Sequence, residues 1–472
     1  MGSVGLNSAD GAFEASLRAG LPDAVFRPLA PHYLEEPRGL FHGNGGLLLA
    51  PASTDEVATI IRACAKGKVP VVPYGGGTGL VGGQIMPDAR PVILSLERMT
   101  RTRAIHADEN VLVTEAGAVL AEVQAAADAA GRLFPLSLAS QGSCRIGGCL
   151  STNAGGVNVL RYGSARDLCL GIEAVLPDGS VHHGLKRLRK DNTGYDLRAL
   201  LCGAEGTLGV ITAASLRLFP KPASQGTALL TVRDPAAALE LLTMAQARLG
   251  NGISAFELIK GTGLDFLLAA GLGGPQPFAK RPEWSVLIEL GLGPKQDPEA
   301  ELAALFEAAD KTGLSDDGVI AQSEGQRAAL WKLREAIPLA NKAVGAISSH
   351  DISLPLSAIP AFLTEADAAL AQTEPFRINA FGHLGDGNLH YNVFPPEGQR
   401  TADFAPRRQE LRDIVYGLVQ SHDGSFSAEH GIGRLKPADL QRYGDPARLA
   451  AMRKIKDALD PAGIMNPGVI FG

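Results

Sequence analysis

The chain has 472 residues and a formal net charge of −6, with 45% hydrophobic and 20% charged residues. That length exceeds one ordinary hydrophobic core, so two or three domains are expected. The acidic balance, and an aromatic content of only 5%, weigh against a nucleic-acid partner or an aromatic stacking platform.

The cysteines Cys64, Cys144, Cys149, Cys169 and Cys202 are odd in number and lack CxxC spacing, which fits neither a disulfide framework nor a zinc ribbon. A reducing compartment, the cytoplasm, is expected. No apolar run is long enough for a membrane span, so none is expected, and no secretory signal is expected either. Residues Met1–Asp10 read as disordered. The run Lys186, Arg187, Arg189, Lys190 reads as a solvated loop.

In chain order, Ser53 and Glu56 form a capping box, and Val57, Ile60, Ile61 and Cys64 continue it at helical spacing up to Gly67. A buried strand over Val69–Pro73 leads into the turn Tyr74–Gly79. A strand at Asn110–Glu115 and a helix at Leu120–Ala130 follow, then strands at Ile172–Leu176 and Val210–Leu218. The middle region repeats a strand–helix theme: Ala228–Val232 with Pro235–Leu249, Trp284–Leu290 with Pro298–Thr312, and His350–Leu354 with Ser357–Gln372. That pattern predicts a sheet with helices on one face. The stretch Gly271–Pro282 reads as a Gly/Pro-rich loop.

Gly75-Gly76-Gly77-Thr78-Gly79 directly follows a strand, so its amides could form an anion nest, or it could be a plain connection. It is neither GxGxxG opening a helix nor a Walker loop. Further glycine-rich polar segments lie at Phe134–Ser143, Ile146–Gly148, Ser151–Gly156, Asp191–Tyr195 and Gly203–Ile211. Together they suit a long groove for a dinucleotide.

In the segment Ile378–Phe394, Asp386-Gly387 signals a type I′ hairpin. A two-residue turn there pairs His383 with His390, whose imidazoles then share a face, with Asn392 two residues further along it. From the residues alone, a metal pair and a hydrogen-bonded cross-strand pair both stand.

In order and wording these segments resemble the FAD-binding type-4 oxidoreductases of the vanillyl-alcohol oxidase superfamily. That group includes D-2-hydroxyglutarate and D-lactate dehydrogenases and the glycolate oxidase flavin subunit. The resemblance runs from about Pro51 to Pro467. It implies an α+β fold: a two-subdomain PCMH-type FAD-binding domain (1–224), a substrate or cap domain with an antiparallel sheet and helices on one face (225–424), and a short C-terminal helical segment packing back on the flavin site (425–472).

The resemblance also implies residue roles. Pro73, Gly75, Gly76, Gly77, Thr78, Gly79 and Leu80 would hold the pyrophosphate. Pro135, Gly142, Ser143, Gly148, Thr152, Ala154 and Gly155 would follow the flavin and ribityl chain. Gly206 and Ile211 would contact the adenine half or the ring, and Asn466 of Asn466-Pro467-Gly468 would lie near the flavin. Some relatives attach FAD covalently through a His in the glycine loop; this loop has none, so FAD is expected to be non-covalent.

His383, His390 and Glu429 would ligate a divalent metal, Zn²⁺ foremost, with Mn²⁺ or Co²⁺ open. His430 would be the general base, Arg334 would grip the substrate carboxylate, and Asn392 would orient the substrate. The activity implied is oxidation of a D-2-hydroxy acid to the 2-oxo acid, with D-2-hydroxyglutarate leading.

The sequence departs from the hydroxyglutarate pattern at two places. Pro338 replaces a frequent Thr one turn after the Arg, and Ser349 replaces a frequent Lys two residues before the strand Asp. D-Lactate, D-malate or a broad D-2-hydroxy acid activity therefore stays open, as does a glycolate oxidase-type flavin subunit. A separate electron acceptor, such as an electron-transferring flavoprotein, a cytochrome or a quinone, is implied. A homodimer is admitted, although no segment indicates one.

Overall fold

The computed structural model describes residues 5–274 and 277–472. The chain forms two compact units. One comprises Met1–Gly156, Tyr162–Lys221 and Glu429–Gly472; the other comprises Val157–Arg161 and Pro222–Ala428.

The first unit opens with order where the sequence suggested none. Residues 1–4 lie outside the described residues, but the Asn7 amide donates to Lys68 O and the Ala9 amide to Arg90 O, each at 2.8 Å. Asp10 caps the helix Gly11–Arg18. Ala9 is buried, and this anchors the segment.

Strands β1 (Phe26–Arg27), β2 (Leu47–Leu49), β3 (Val71–Tyr74) and β4 (Val92–Ser95) form a mixed sheet in the order β1-β2-β4-β3. β2, β4 and β3 are parallel. The helix Thr54–Gly67 that precedes β3 starts at the predicted capping box: Ser53 accepts from the Glu56 amide, and the Glu56 carboxylate accepts from Ala52 N at 2.7 Å. Its C-cap, Lys68, takes the left-handed conformation (φ 51°), so the chain turns into β3 without a glycine at that position.

β5 (Thr102–His106), β6 (Val111–Glu115), β8 (Cys169–Val175), β9 (Val181–Gly184) and β10 (Val210–Arg217) form a second sheet, ordered β5-β6-β10-β8-β9 and antiparallel throughout. β7 (Arg132–Leu133) and β11 (Phe219–Pro220) make a short ribbon. All five cysteines are buried and free.

The second unit is built on a seven-stranded sheet. Its strands are β12 (Ser224–Val232), β13 (Ile253–Lys260), β14 (Trp284–Leu292), β15 (Gly318–Ile320), β16 (Ser348–Ser353), β17 (Arg377–His383) and β18 (Asn388–Phe394). They run antiparallel in the order β15-β12-β14-β13-β17-β18-β16. Of the predicted Gly271–Pro282 loop, Pro275 and Gln276 lie outside the described residues; the rest carries no strand or helix.

The helices Pro235–Leu249, Pro298–Lys311 and Ile359–Ala371 stand where the sequence puts them, give or take a turn. Pro298 and Leu302 meet Gly226 of β12. Phe362 packs edge-on to Tyr391 of β18, and Tyr391 donates to Asp367 at 2.6 Å.

Helices are not confined to that face. The opposite face presents Leu229, Leu287, Ile259, Phe381 and Phe394, which cluster with residues of the helices Gly261–Ala269 and Glu324–Val344. An apolar face of that size needs cover, so the one-face expectation gives way to helices on both. No helix among the described residues is long and apolar enough to cross a membrane.

Candidate functional site

In the first unit, sequence-distant glycines meet. A Cβ on Gly75 would lie 3.4 Å from Gly148 Cα, and one on Gly76 would lie 2.2 Å from Ser143 O and 2.9 Å from Cys144 Cα. The loop after β3 therefore lies backbone to backbone against Ser143–Gly148. Gly77 has φ +71°, and a Cβ there would strike the Tyr74 hydroxyl. Gln84 Nε2 braces the far end of the loop by donating to Gly79 O at 2.9 Å.

The amides of Gly76, Gly77 and Gly79 donate to no protein acceptor among the described residues, as an anion-binding nest requires. Thr78 and Leu80 are half-buried in the same loop. Gly206 (φ +72°) packs on Pro73, and Ile211 is buried in β10.

The other candidate residues are less uniform. Thr152 spends its hydroxyl on Gly148 O at 3.0 Å. The Ala154 amide bonds to Cys149 O, and Pro135 is buried. Gly142 is exposed with nothing within 4 Å of a built Cβ, so crowding does not require glycine there; Ser143, also exposed, bonds to Ser140 O.

The C-terminal segment closes the same unit. Asn466 Nδ2 donates to Gly83 O at 2.8 Å and to Glu205 O at 2.9 Å. Glu205, which the sequence reading did not single out, accepts from the amides of Ile432 and Gly433, each at 2.8 Å. Burial pushes its carboxyl up, against these two hydrogen bonds. The clamp fixes the backbone just after His430. Glu429 accepts from the Gly156 amide at 2.6 Å, and a Cβ on Gly155 would lie 2.7 Å from its Oε1. Gly155 thus makes room for that carboxylate.

In the second unit, the predicted hairpin forms with a different register. Leu384–Asp386 makes a 3₁₀ turn, and Gly387 alone takes the left-handed conformation (φ 85°). His390 consequently pairs with Phe381, not His383. The longer turn shifts the register by two residues, and a two-residue shift preserves the face. The imidazoles of His383 and His390 still lie together, with ring centroids 5.7 Å apart.

Each imidazole has a carboxylate on the strand beside it. Glu257 of β13 stands opposite His383, and its Oε1 lies 2.6 Å from His383 Nδ1. Asp351 of β16 stands opposite His390, with Oδ1 3.8 Å from Nδ1. The four adjacent strands therefore read carboxylate, imidazole, imidazole, carboxylate on one face. This donor chemistry fits a divalent metal: the Glu257 carboxylate orients the His383 ring through Nδ1, as the carboxylate partner of a metal-ligating histidine does, and Asp351 stands beside His390.

Arg334, on the helix Glu324–Val344, is buried, pairs with Glu257 Oε2 through Nη2 at 2.7 Å, and lies over the Phe381 ring at 4.7 Å. Burial pushes the Glu257 carboxyl up, but its neighbours His383 and Arg334 outweigh it and hold the group at about 2. Asn392 is buried and donates to Asn379 O and His390 O at 3.2 and 3.0 Å, bracing the hairpin. The sequence signal for Glu257 was a single acidic residue inside the apolar run Ile253–Lys260.

A glycine-built cradle in one unit and an antiparallel sheet bearing paired histidines in the other define a flavin-dependent oxidoreductase architecture. The model for the "FAD binding domain" matches residues 46–184, and the model for "FAD linked oxidases, C-terminal domain" matches residues 221–470. The chain belongs to the FAD-linked oxidase family and is an FAD-dependent dehydrogenase.

It is 40% identical to a mitochondrial D-2-hydroxyglutarate dehydrogenase of Bos taurus, over 96% of this chain and 82% of that protein. It is 38% identical to D-2-hydroxyglutarate dehydrogenase of Xanthomonas citri pv. viticola, over 93% of this chain and 92% of that one. Its fold matches that of p-cresol methylhydroxylase with a TM-score of 0.78, at 15% identity, covering 99% of this chain and 98% of the other.

Proposed function

We propose that the protein oxidises a D-2-hydroxy acid, D-2-hydroxyglutarate foremost, to the 2-oxo acid, with the metal ligated by His383, His390 and Glu429. The observation that carries the metal is the row Glu257, His383, His390, Asp351 across adjacent strands. For Glu429 the support is connectivity. The Ala428 amide donates to Asp351 O at 3.2 Å, which ties the chain to the strand beside His390 one residue before Glu429.

Bound FAD supplies the acceptor for the Cα hydride, and a bound metal supplies Lewis acidity toward the substrate's hydroxyl and carboxylate oxygens. His430 takes the hydroxyl proton as that hydride leaves. Arg334 binds a substrate carboxylate, and Asn392 orients the substrate. The electrons leave to a separate acceptor: electron-transferring flavoprotein, cytochrome or quinone. Pro338, inside the helix one turn after Arg334, and Ser349, exposed on β16 opposite Asn392, favour a second reading in which D-lactate or D-malate is the substrate.

A panel of D-2-hydroxy acids with a dye acceptor, run with and without chelator, separates these readings. D-2-Hydroxyglutarate should give the highest kcat/KM, and chelation should abolish turnover. Undiminished turnover after complete metal removal overturns the metal role. Rapid oxygen consumption without added acceptor would make the protein an oxidase.

The cradle assignment has its own test. Gly76→Ala puts a methyl group 2.2 Å from Ser143 O, so the loop must move. The purified variant should lose most of its absorbance near 450 nm. Full flavin occupancy would remove the loop from the pyrophosphate site.

A further inference from the structure

Glu257 is a buried charge in a strand whose every residue is buried, and its side chain is fully enclosed. Enclosing a carboxylate is costly, and a well-packed apolar residue in its place is often as stable or more so. Stability alone therefore gives little reason for an acid here.

Its two oxygens are divided between two different groups. Oε1 holds His383 Nδ1 at 2.6 Å, while Oε2 accepts from Arg334 Nε at 2.9 Å and Nη2 at 2.7 Å. The cross-strand register sets Glu257 directly opposite His383, so the first contact is built into the sheet. The Phe381 ring lies beneath the Arg334 guanidinium, 4.7 Å from its central carbon.

We propose that Glu257 is the positioning residue of the site, holding the metal-binding imidazole and the substrate-binding guanidinium in fixed relation through one carboxylate. With Nδ1–H donated to Oε1, His383 presents the lone pair of Nε2 to the metal. With Nε–H and one Nη2–H committed to Oε2, the guanidinium keeps its Nη1–H groups and the second Nη2–H for an anionic substrate. The same carboxylate offsets the positive charge of Arg334. This inference rests on the metal reading above.

Glu257→Gln is the informative change, because it keeps the shape and removes the shared acceptor. An amide nitrogen turned toward His383 would donate to Nδ1 and force the proton onto Nε2, the wrong tautomer for ligation. An amide oxygen turned that way would leave the amide nitrogen against Arg334, two donors facing each other.

The test is calorimetric titration of Zn²⁺ into metal-stripped, FAD-loaded protein, alongside steady-state kinetics on the remetallated enzyme. For Glu257→Gln we expect Zn²⁺ affinity to fall roughly 10–100-fold, as for other supporting carboxylates. KM for the D-2-hydroxy acid should rise, while FAD occupancy and the circular dichroism spectrum stay those of the wild type. Glu257→Asp should recover part of both losses. If Glu257→Gln does not fold, the Asp variant is read alone, and wild-type affinity together with wild-type KM overturns the proposal.

The two readings fail separately. Wild-type protein that takes up no Zn²⁺ overturns the metal reading, and this inference with it. Wild-type protein that binds Zn²⁺ normally, beside a Gln variant equal to it in affinity and KM, overturns the role of Glu257 alone.

Discussion

His390→Ala is expected to leave a folded, flavin-loaded protein whose kcat/KM is reduced by about 10³-fold or more and whose metal content is lost. His390 sits on β18 between Phe381 and Asp351, held in register by backbone pairing that alanine does not disturb. Its side chain is mostly buried, so the folded state of the variant is checked by circular dichroism. The expected loss lies in chemistry. Lewis-acid activation contributes several kcal/mol, and about 4 kcal/mol corresponds to roughly a thousandfold in rate. Elemental analysis beside steady-state kinetics reads both effects, and a variant that keeps its metal and its rate removes His390 from the ligand set.

The second large effect is expected at His430. Replacement by alanine should lower kcat by about 10²–10⁴-fold, the usual contribution of a positioned general base. The pH profile carries the sign. A base must be unprotonated to accept the hydroxyl proton, so wild-type kcat/KM should fall as pH drops through the pKa of the imidazole. The alanine variant should lose that acidic limb while keeping its flavin spectrum and metal. The clamp from Glu205 to the Ile432 and Gly433 amides does not depend on the His430 side chain, so the loop should keep its course. An acidic limb that persists in the variant assigns the titration to another group.

Local signals in the sequence were strong where chemistry acts over a few residues. The capping box at Ser53 and Glu56 marks its helix start, and Pro235–Leu249 falls on its observed bounds. The shared face of His383 and His390 was also legible, because parity survives a register error of two residues even though the turn type does not.

The strand Ile253–Lys260 was not legible. Buried on both faces, it shows no alternation, and it ends directly at the helix Gly261–Ala269 with no polar turn between them. Missing that strand hid Glu257, and with it the partner of Arg334, 77 residues further along the chain. Arg334 read alone looks like a cation waiting for a ligand. The fold shows it already holding a carboxylate, which narrows how it can meet a second one.

The way the first unit closes bears on how the protein is made. The Val71 amide donates to Ile464 O, the Asn466 amide donates to Val71 O, and the Asn466 side chain bridges Gly83 and Glu205. The cradle that begins at β3 is thus completed by residues synthesised almost four hundred positions later. On the ribosome, the second unit is fully translated before this latch emerges. A nascent chain lacking Ile464–Asn466 would lack these contacts, so tight cofactor capture is expected only after they have been translated.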